Sequence, residues 1–240
     1  MFKQVLLLCF ALFFVGCSSD EPVIEKKESS PDDNDDTPEL IEETDGNDKV
    51  SFIEFPLSEE KVKVNLNMVP ILNDYIEASA SPQKDIHNMK LERVEHTDKK
   101  LYILSFSCHE DLCSYIILDR SGDNQAILLA DIASLKKMSP SPDDTKLLLR
   151  FERETTLPLP LSDIVVIDTE NWEKLEPENI TDDTNPLEYS WPLLDADWSD
   201  DENIRVSKPD IDKPTEKGIK KWKGTEQPEK EIILRTHPAR

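Results

Sequence analysis

Apolar positions recur along this chain in short runs rich in Ile, Val, Leu and aromatics, set between clusters of Asp, Ser, Pro and Asn. That alternation is a strand signature, because branched and aromatic side chains pack well on a pleated surface while turn residues close each run. The clearest runs are Lys100–Phe106 (KLYILSF), Ser114–Asp119 (SYIILD), Lys146–Phe151 (KLLLRF), Asp163–Asp168 (DIVVID) and Glu231–Arg235 (EIILR). Val50–Leu57 (VSFIEFPL) and the alternating Val62, Val64 and Leu66 add further sheet. Pro70–Ala78 reads as a short helix opened by its proline, whose fixed φ suits a first helical turn.

These runs repeat in order. Lys100-Leu101 aligns with Lys146-Leu147, 46 residues on, and a weaker partner, Asn203-Ile204-Arg205-Val206, follows 57 residues after that. An acidic turn precedes each: Thr97-Asp98, Ser141-Pro142-Asp143-Asp144-Thr145, and Trp198-Ser199-Asp200-Asp201-Glu202. A second apolar run follows each, at Tyr115–Asp119, Ile164–Thr169 and Ile232–Thr236. Such a period, with about four strands per repeat, is the spacing of propeller blades.

The stretch Ser141-Pro142-Asp143-Asp144-Thr145-Lys146-Leu147, with Ile164–Asp168 downstream, resembles the SPDGxK…IYVxD repeat of TolB-type, WD40-like β-propellers. Trp198–Asp201 resembles a degenerate second copy. The motif works locally: Asp accepts backbone N–H groups within the turn, and Pro fixes φ so that the next strand enters the sheet at a set angle. Asp144 and Asp201 stand where the family has Gly, and the second copy lacks the Pro. The matching stretch covers residues 89–240 and holds three blades. The resemblance therefore implies an all-β fold, a propeller-like stack of about three four-stranded antiparallel sheets. Closed propellers typically have four to eight blades. The expected open edge would remain an association site, be filled by Val50–Leu57, or be completed by another chain.

Composition changes the picture at the N-terminus. Met1–Gln4 is a short, singly positive start, and Val5–Val15 carries no polar side chain except Cys9. At about 1.5 Å rise per residue, such a run reaches only about half of a ~30 Å hydrocarbon core, so a secretory signal fits better than a spanning helix. Phe14-Val15-Gly16-Cys17-Ser18-Ser19 resembles the lipobox of bacterial lipoproteins, with Phe14 in place of the usual Leu. The resemblance implies a signal over residues 1–16, a diacylglyceryl thioether on Cys17, and a palmitate-bearing lipid anchor on the extracytoplasmic face of a membrane. Two acyl chains satisfy the condition for stable anchoring.

Asp20–Asp48 then holds thirteen acidic residues against Lys26 and Lys27, with Pro22, Pro31 and Pro38 interrupting it. Such a segment buries too little apolar surface to offset its ordering entropy, so residues 17–49 are expected to form a disordered acidic tether. Residues 50–240 form the β-repeat domain. The whole chain carries −23. That field repels phosphate backbones and anionic headgroups, which argues against nucleic acid as a partner.

Cys108 and Cys113 flank His109-Glu110-Asp111-Leu112 between two strand-like runs, a spacing that suits a hairpin disulfide in an exported chain. Free thiols, or a metal site drawing on His109, are the other readings. Asp195, Asp197, Asp200 and Asp201 surround Trp198 and are weak metal candidates, as calcium ligands or as turn caps. His87, His96 and His237 read as solvated, and Trp172, Trp191, Trp198 and Trp222 as core or sheet-edge residues. Arg205–Lys223 is the one basic stretch, with seven basic residues against three acidic ones and Trp222 among them. It reads as a solvated insertion, or as a dock for the acidic tether or an anionic wall polymer.

Gly46, Gly122, Gly218 and Gly224 are the only glycines after Gly16, so neither a phosphate loop nor a dinucleotide fingerprint can be written, and no Ser sits in a G-x-S-x-G context. No cofactor and no catalytic residue is assigned. The expectation is a non-enzymatic, membrane-anchored binding module of the cell envelope, meeting an envelope protein or wall polymer. A calcium- or carbohydrate-binding module is the second reading, and a hydrolase on a propeller scaffold the third.

Overall fold

The computed structural model describes residues 24–27, 37–45, 48–58, 60–95, 97–120, 126–181 and 185–237. Met1–Val23, with the signal and Cys17, lies outside the described residues, as do Glu28–Asp36 and His96.

Two antiparallel sheets carry the fold. The smaller has four strands, β1 (Ile24–Lys27), β2 (Glu39–Asp45), β3 (Asp48–Pro56) and β4 (Lys61–Asn65), in the order β1-β4-β3-β2. A 3₁₀ turn at Leu66–Met68 leads into α1 (Pro70–Ala78) and α2 (Pro82–His87). Both helices begin on the proline that the sequence supplies.

The larger sheet is a continuous ladder of ten strands: β5 (Lys90–Arg93), β6 (Leu101–His109), β7 (Leu112–Asp119), β8 (Ile127–Pro140), β9 (Lys146–Arg153), β10 (Leu161–Asp168), β11 (Glu173–Asn179), β12 (Asp195–Trp198), β13 (Asn203–Pro209) and β14 (Glu229–His237). Their order is β12-β13-β14-β11-β10-β9-β8-β7-β6-β5. A third helix, α3 (Glu216–Lys223), lies between β13 and β14.

The ladder folds back on itself at two strands. β8 pairs β7 from Ile127 to Ala133 and β9 from Ser134 to Pro140, with register shifts on both sides of the change. Ile132, at the bend, takes φ 47°, a left-handed value that a β-branched residue adopts only under constraint. β11 changes partner in the same way, pairing β10 through Glu173–Leu175 and β14 through Glu176–Asn179. Pro177, which has no N–H to give a ladder, sits in the second half.

Folding the ladder buries both faces of its central strands, which explains why those strands read as unbroken apolar runs. Tyr102, Leu104 and Phe106 of β6 pack with Ile116 and Leu118 against the small sheet, α1 and α2. Leu101 and Ile103 of the same strand face Leu147, Leu149 and Phe151 of β9. Leu148, Ile164 and Val166 face a third core completed by Ile204, Val206, Ile232 and Leu234. A polar clasp joins the small sheet to the ladder. The Tyr102 hydroxyl donates to Glu60 Oε1 at 2.6 Å, and the Arg120 guanidinium donates to Glu60 Oε2 at 2.7 Å. Burial, reinforced by the Glu60 carboxylate, pushes the Tyr102 phenol up to about 12.

Three expectations need correction. The all-β, antiparallel character holds, but the repeats are one open ten-strand ladder rather than three separate four-stranded sheets in a propeller. β8 and β11, between the runs that mark the repeats, are strands shared by successive layers. The supposed acidic tether over 17–49 supplies β1 and β2 of the small sheet. Counting acids within that segment alone ignored its cross-strand partners: Lys63 forms an ion pair with Glu43 and lies 5.6 Å from the Phe52 ring centroid, and Ile24 is buried opposite Val64. Finally, the ladder does not end in a long apolar edge. β5 and β12 are four residues each and carry charges, the usual protection against edge-to-edge pairing.

Candidate functional site

Antiparallel register sorts the ladder into two ends. At one end lie the turns 97–100, 141–146, 168–172 and 199–203; at the other lie the β6–β7 tip, the 152–161 segment and α3.

At the first end four aspartates, Asp143, Asp144, Asp168 and Asp200, accept backbone amides of the chain itself. Asp143 Oδ1 accepts from the Ser141 hydroxyl at 2.5 Å and from the Thr145 amide at 3.1 Å, while Ser141 Oγ accepts from the Lys146 amide. Burial raises the Asp143 carboxyl, but these donors outweigh it and hold the group below the usual carboxylate range. Asp144 takes φ 57° and accepts from the Asp98 amide. Asp168 accepts from the amides of Glu170 and Asn171. In the second motif copy, Asp200 accepts from the amides of Glu202 and Asn203. The residue in Asp144's place there, Asp201, is not among the left-handed residues.

At the other end the acids stand differently. Two adjoining depressions of about 340 and 640 Å³ share Glu110, Asp111, Ser134 and Lys136. Cys108 and Cys113 lie in the wall at disulfide-bonding distance, pinning the β6–β7 hairpin where its register slips between Phe106 and His109. Ser107 and Glu110 take φ 52° and 55° there. Glu152 belongs to an ion pair with Arg150 at 2.7 Å, whereas the side chains of Glu110, Asp111 and Glu154 have no partner among the described residues. Leu157, Pro158, Leu159 and Pro160 give the lining an apolar part. The result is an open cleft that combines carboxylates, the Lys136 cation and a Leu-Pro segment.

A second groove of about 690 Å³ opens beside α3. Thr215 caps that helix by accepting from the Gly218 amide, and Ile219 and Trp222 bury its inner face. The Trp222 indole N–H donates to Pro228 O at 2.7 Å. Lys223 Nζ donates to Pro158 O, tying α3 to the Leu-Pro wall of the first cleft.

The structure separates the residues that the sequence grouped. Asp195 and Asp197 both receive Lys137 Nζ, at 3.0 and 2.5 Å, so this pair joins β12 to β8, while Asp200 is held in its own turn. Among the described residues no group of three or more His, Cys, Asp or Glu side chains is placed to hold a metal ion. Trp191 and Trp222 are buried, and Trp198 is half-buried with its indole N–H on Ser139 O. Trp191 also carries the buried Lys208 ammonium 3.6 Å from its ring centroid. His87 and His237 are exposed. Sequence reasoning missed Lys136, Glu154 and the Leu157–Pro160 wall, although the Leu-Pro-Leu-Pro run was a visible sign of an extended apolar segment outside the strands. Among the described residues no helix is long and apolar enough to cross a membrane. No family model, curated protein or solved structure matches the chain.

Proposed function

We propose that this chain is a lipid-anchored binding module on the extracytoplasmic face of a membrane, and that its head engages another envelope component through the hairpin cleft. The observation that carries the binding reading is the set of carboxylates at Glu110, Asp111 and Glu154, without hydrogen bonds or ion pairs among the described residues in a cleft that Leu157–Pro160 also line. Asp143, Asp168 and Asp200 in the turns at the other end of the ladder have local donors, so the contrast with them is internal to the molecule. The anchoring reading rests on Val5–Cys17, whose apolar run, small residues and cysteine fit a lipoprotein signal.

Two experiments test these readings. A photo-crosslinking residue at Leu159 should capture one envelope component in living cells, and the same residue at Asp74 on α1 should not. Equal capture from both positions removes the cleft. Labelling with a palmitate analogue should mark the parent and leave Cys17→Ala unmarked, with the variant recovered in the soluble fraction. A Cys17→Ala chain that still sediments with membranes removes the anchor.

A further inference from the structure

We infer that the groove beside α3 is a second docking site, specific for an extended acidic peptide segment that alternates carboxylates with apolar side chains. This goes beyond the cleft reading and does not depend on the lipid anchor.

The argument begins with which lysines already have partners. In α3, Lys220 pairs with Glu216 at 2.5 Å, and Lys223 holds Pro158 O at 2.7 Å. Lys213, Lys217 and Lys221 all line the groove, and the side chains of these three have no hydrogen bond or ion pair among the described residues. They stand free in a chain that carries 51 acidic residues against 28 basic ones and has had every opportunity to neutralise them. Cations left unpaired on so acidic a molecule are what an anionic partner would select, and an attractive patch on a repelling background also fixes how that partner approaches.

Spacing narrows the partner. Lys217 and Lys221 are one helical turn apart, about 6 Å along the axis. Alternate side chains of an extended peptide fall on one face every ~6.6 Å, so successive carboxylates on such a strand match successive lysines. The floor narrows it further. Trp222, Ile211 and Pro228 give the groove an apolar base, which accepts an apolar side chain and offers a wall polymer of phosphate and polyol nothing to bury. Asp210 and Asp212 line the same groove and weaken the positive potential near them, so the anion contacts belong to the Lys217–Lys221 side.

The test is fluorescence anisotropy on the full-length chain in detergent micelles. The probes are a labelled short peptide alternating Glu with Leu, its Lys-for-Glu counterpart, and poly(glycerol phosphate) as competitor. Two double variants with the same charge change are compared, Lys217→Gln/Lys221→Gln in the groove and Lys84→Gln/Lys100→Gln on α2 and the 97–100 turn, with circular dichroism confirming that each folds. The Glu peptide should bind, the Lys peptide should not, and the groove variant should weaken Glu-peptide binding about tenfold. The Lys84/Lys100 variant should bind as the parent does, and added salt should weaken every complex. Equal loss in the two variants means diffuse charge attraction and overturns the site. Unchanged binding in the groove variant overturns it as well. Full displacement of the peptide by poly(glycerol phosphate) at equal charge concentration overturns the peptide specificity. A crosslink from Leu159 concerns only the first cleft, so the two readings fail separately.

Discussion

The two ends of the folded ladder use the same residue types for different purposes. At the turn end, Asp143, Asp168 and Asp200 accept backbone amides within three residues of themselves, and a hydroxyl or amide side chain completes each set. At the hairpin end, Glu110, Asp111 and Glu154 border a cleft without such donors, and Lys213, Lys217 and Lys221 border the neighbouring groove without acids bound to them. In a chain this acidic, a carboxylate on the surface carries no information by itself. What distinguishes these two sets of side chains is whether each charge has a local partner, and that depends on backbone conformation more than on composition.

Substitutions can break or sharpen this contrast. The largest effect belongs to Trp222→Ala, which empties the inner face of α3 and removes the indole hydrogen bond to Pro228. A loss of about 3 kcal/mol is expected in urea unfolding, with the α3 amides losing hydrogen-exchange protection while the 141–146 turn keeps its own. Next comes the double variant Cys108→Ser/Cys113→Ser. Opening so short a loop should lower stability by about 2 kcal/mol, and the change in protection should concentrate on the β6–β7 tip.

At the opposite end Asp143→Ala removes an acceptor used by Ser141 and Thr145, and should cost about 1 kcal/mol near neutral pH. The sign with pH follows from the depressed carboxyl. The stability it contributes is present above the ordinary aspartate value of 3.8 and is lost as pH falls from there through the lower folded value. Denaturant midpoints at pH 7 and pH 3 should therefore differ less in Asp143→Ala than in the parent. The smallest effect is a gain. Asp144→Gly relaxes a left-handed residue and should raise stability by about 0.5 kcal/mol, whereas Asp201→Gly, which relieves no such conformation, should not. A gain at Asp201 would mean that the two motif copies share one geometry.

Much of the local structure was legible in the chain. Apolar runs marked β6, β7, β9 and β10, Pro70 marked the start of α1, and the Asp and Pro of Ser141–Lys146 marked a turn, whereas α2 and the left-handed Asp144 were not foreseen. The larger architecture was not. β8 carries Lys136, Lys137, Ser139 and Pro140 within its second half, so its pairing is invisible to a test of hydrophobicity, and β11 hides behind Glu173, Glu176, Glu178 and Pro177. These polar strands decide that the repeats merge. β2 was hidden for a related reason, since its acids are answered in part by Lys63, twenty residues away in sequence from Glu43. The hairpin cleft combines both difficulties. Its cysteines announced themselves by spacing, but Glu154 and the Leu157–Pro160 wall are brought to them by the β8 bend, a tertiary event with no local signal.

That bend has a mechanical corollary. A strand whose two halves belong to neighbouring layers behaves like a hinge pin common to two leaves: it cannot be withdrawn from one without loosening the other. With β8 and β11 both built this way, the three leaves of the ladder are bound into a single cooperative unit, and a pull applied at the hairpin end is shared across all of them.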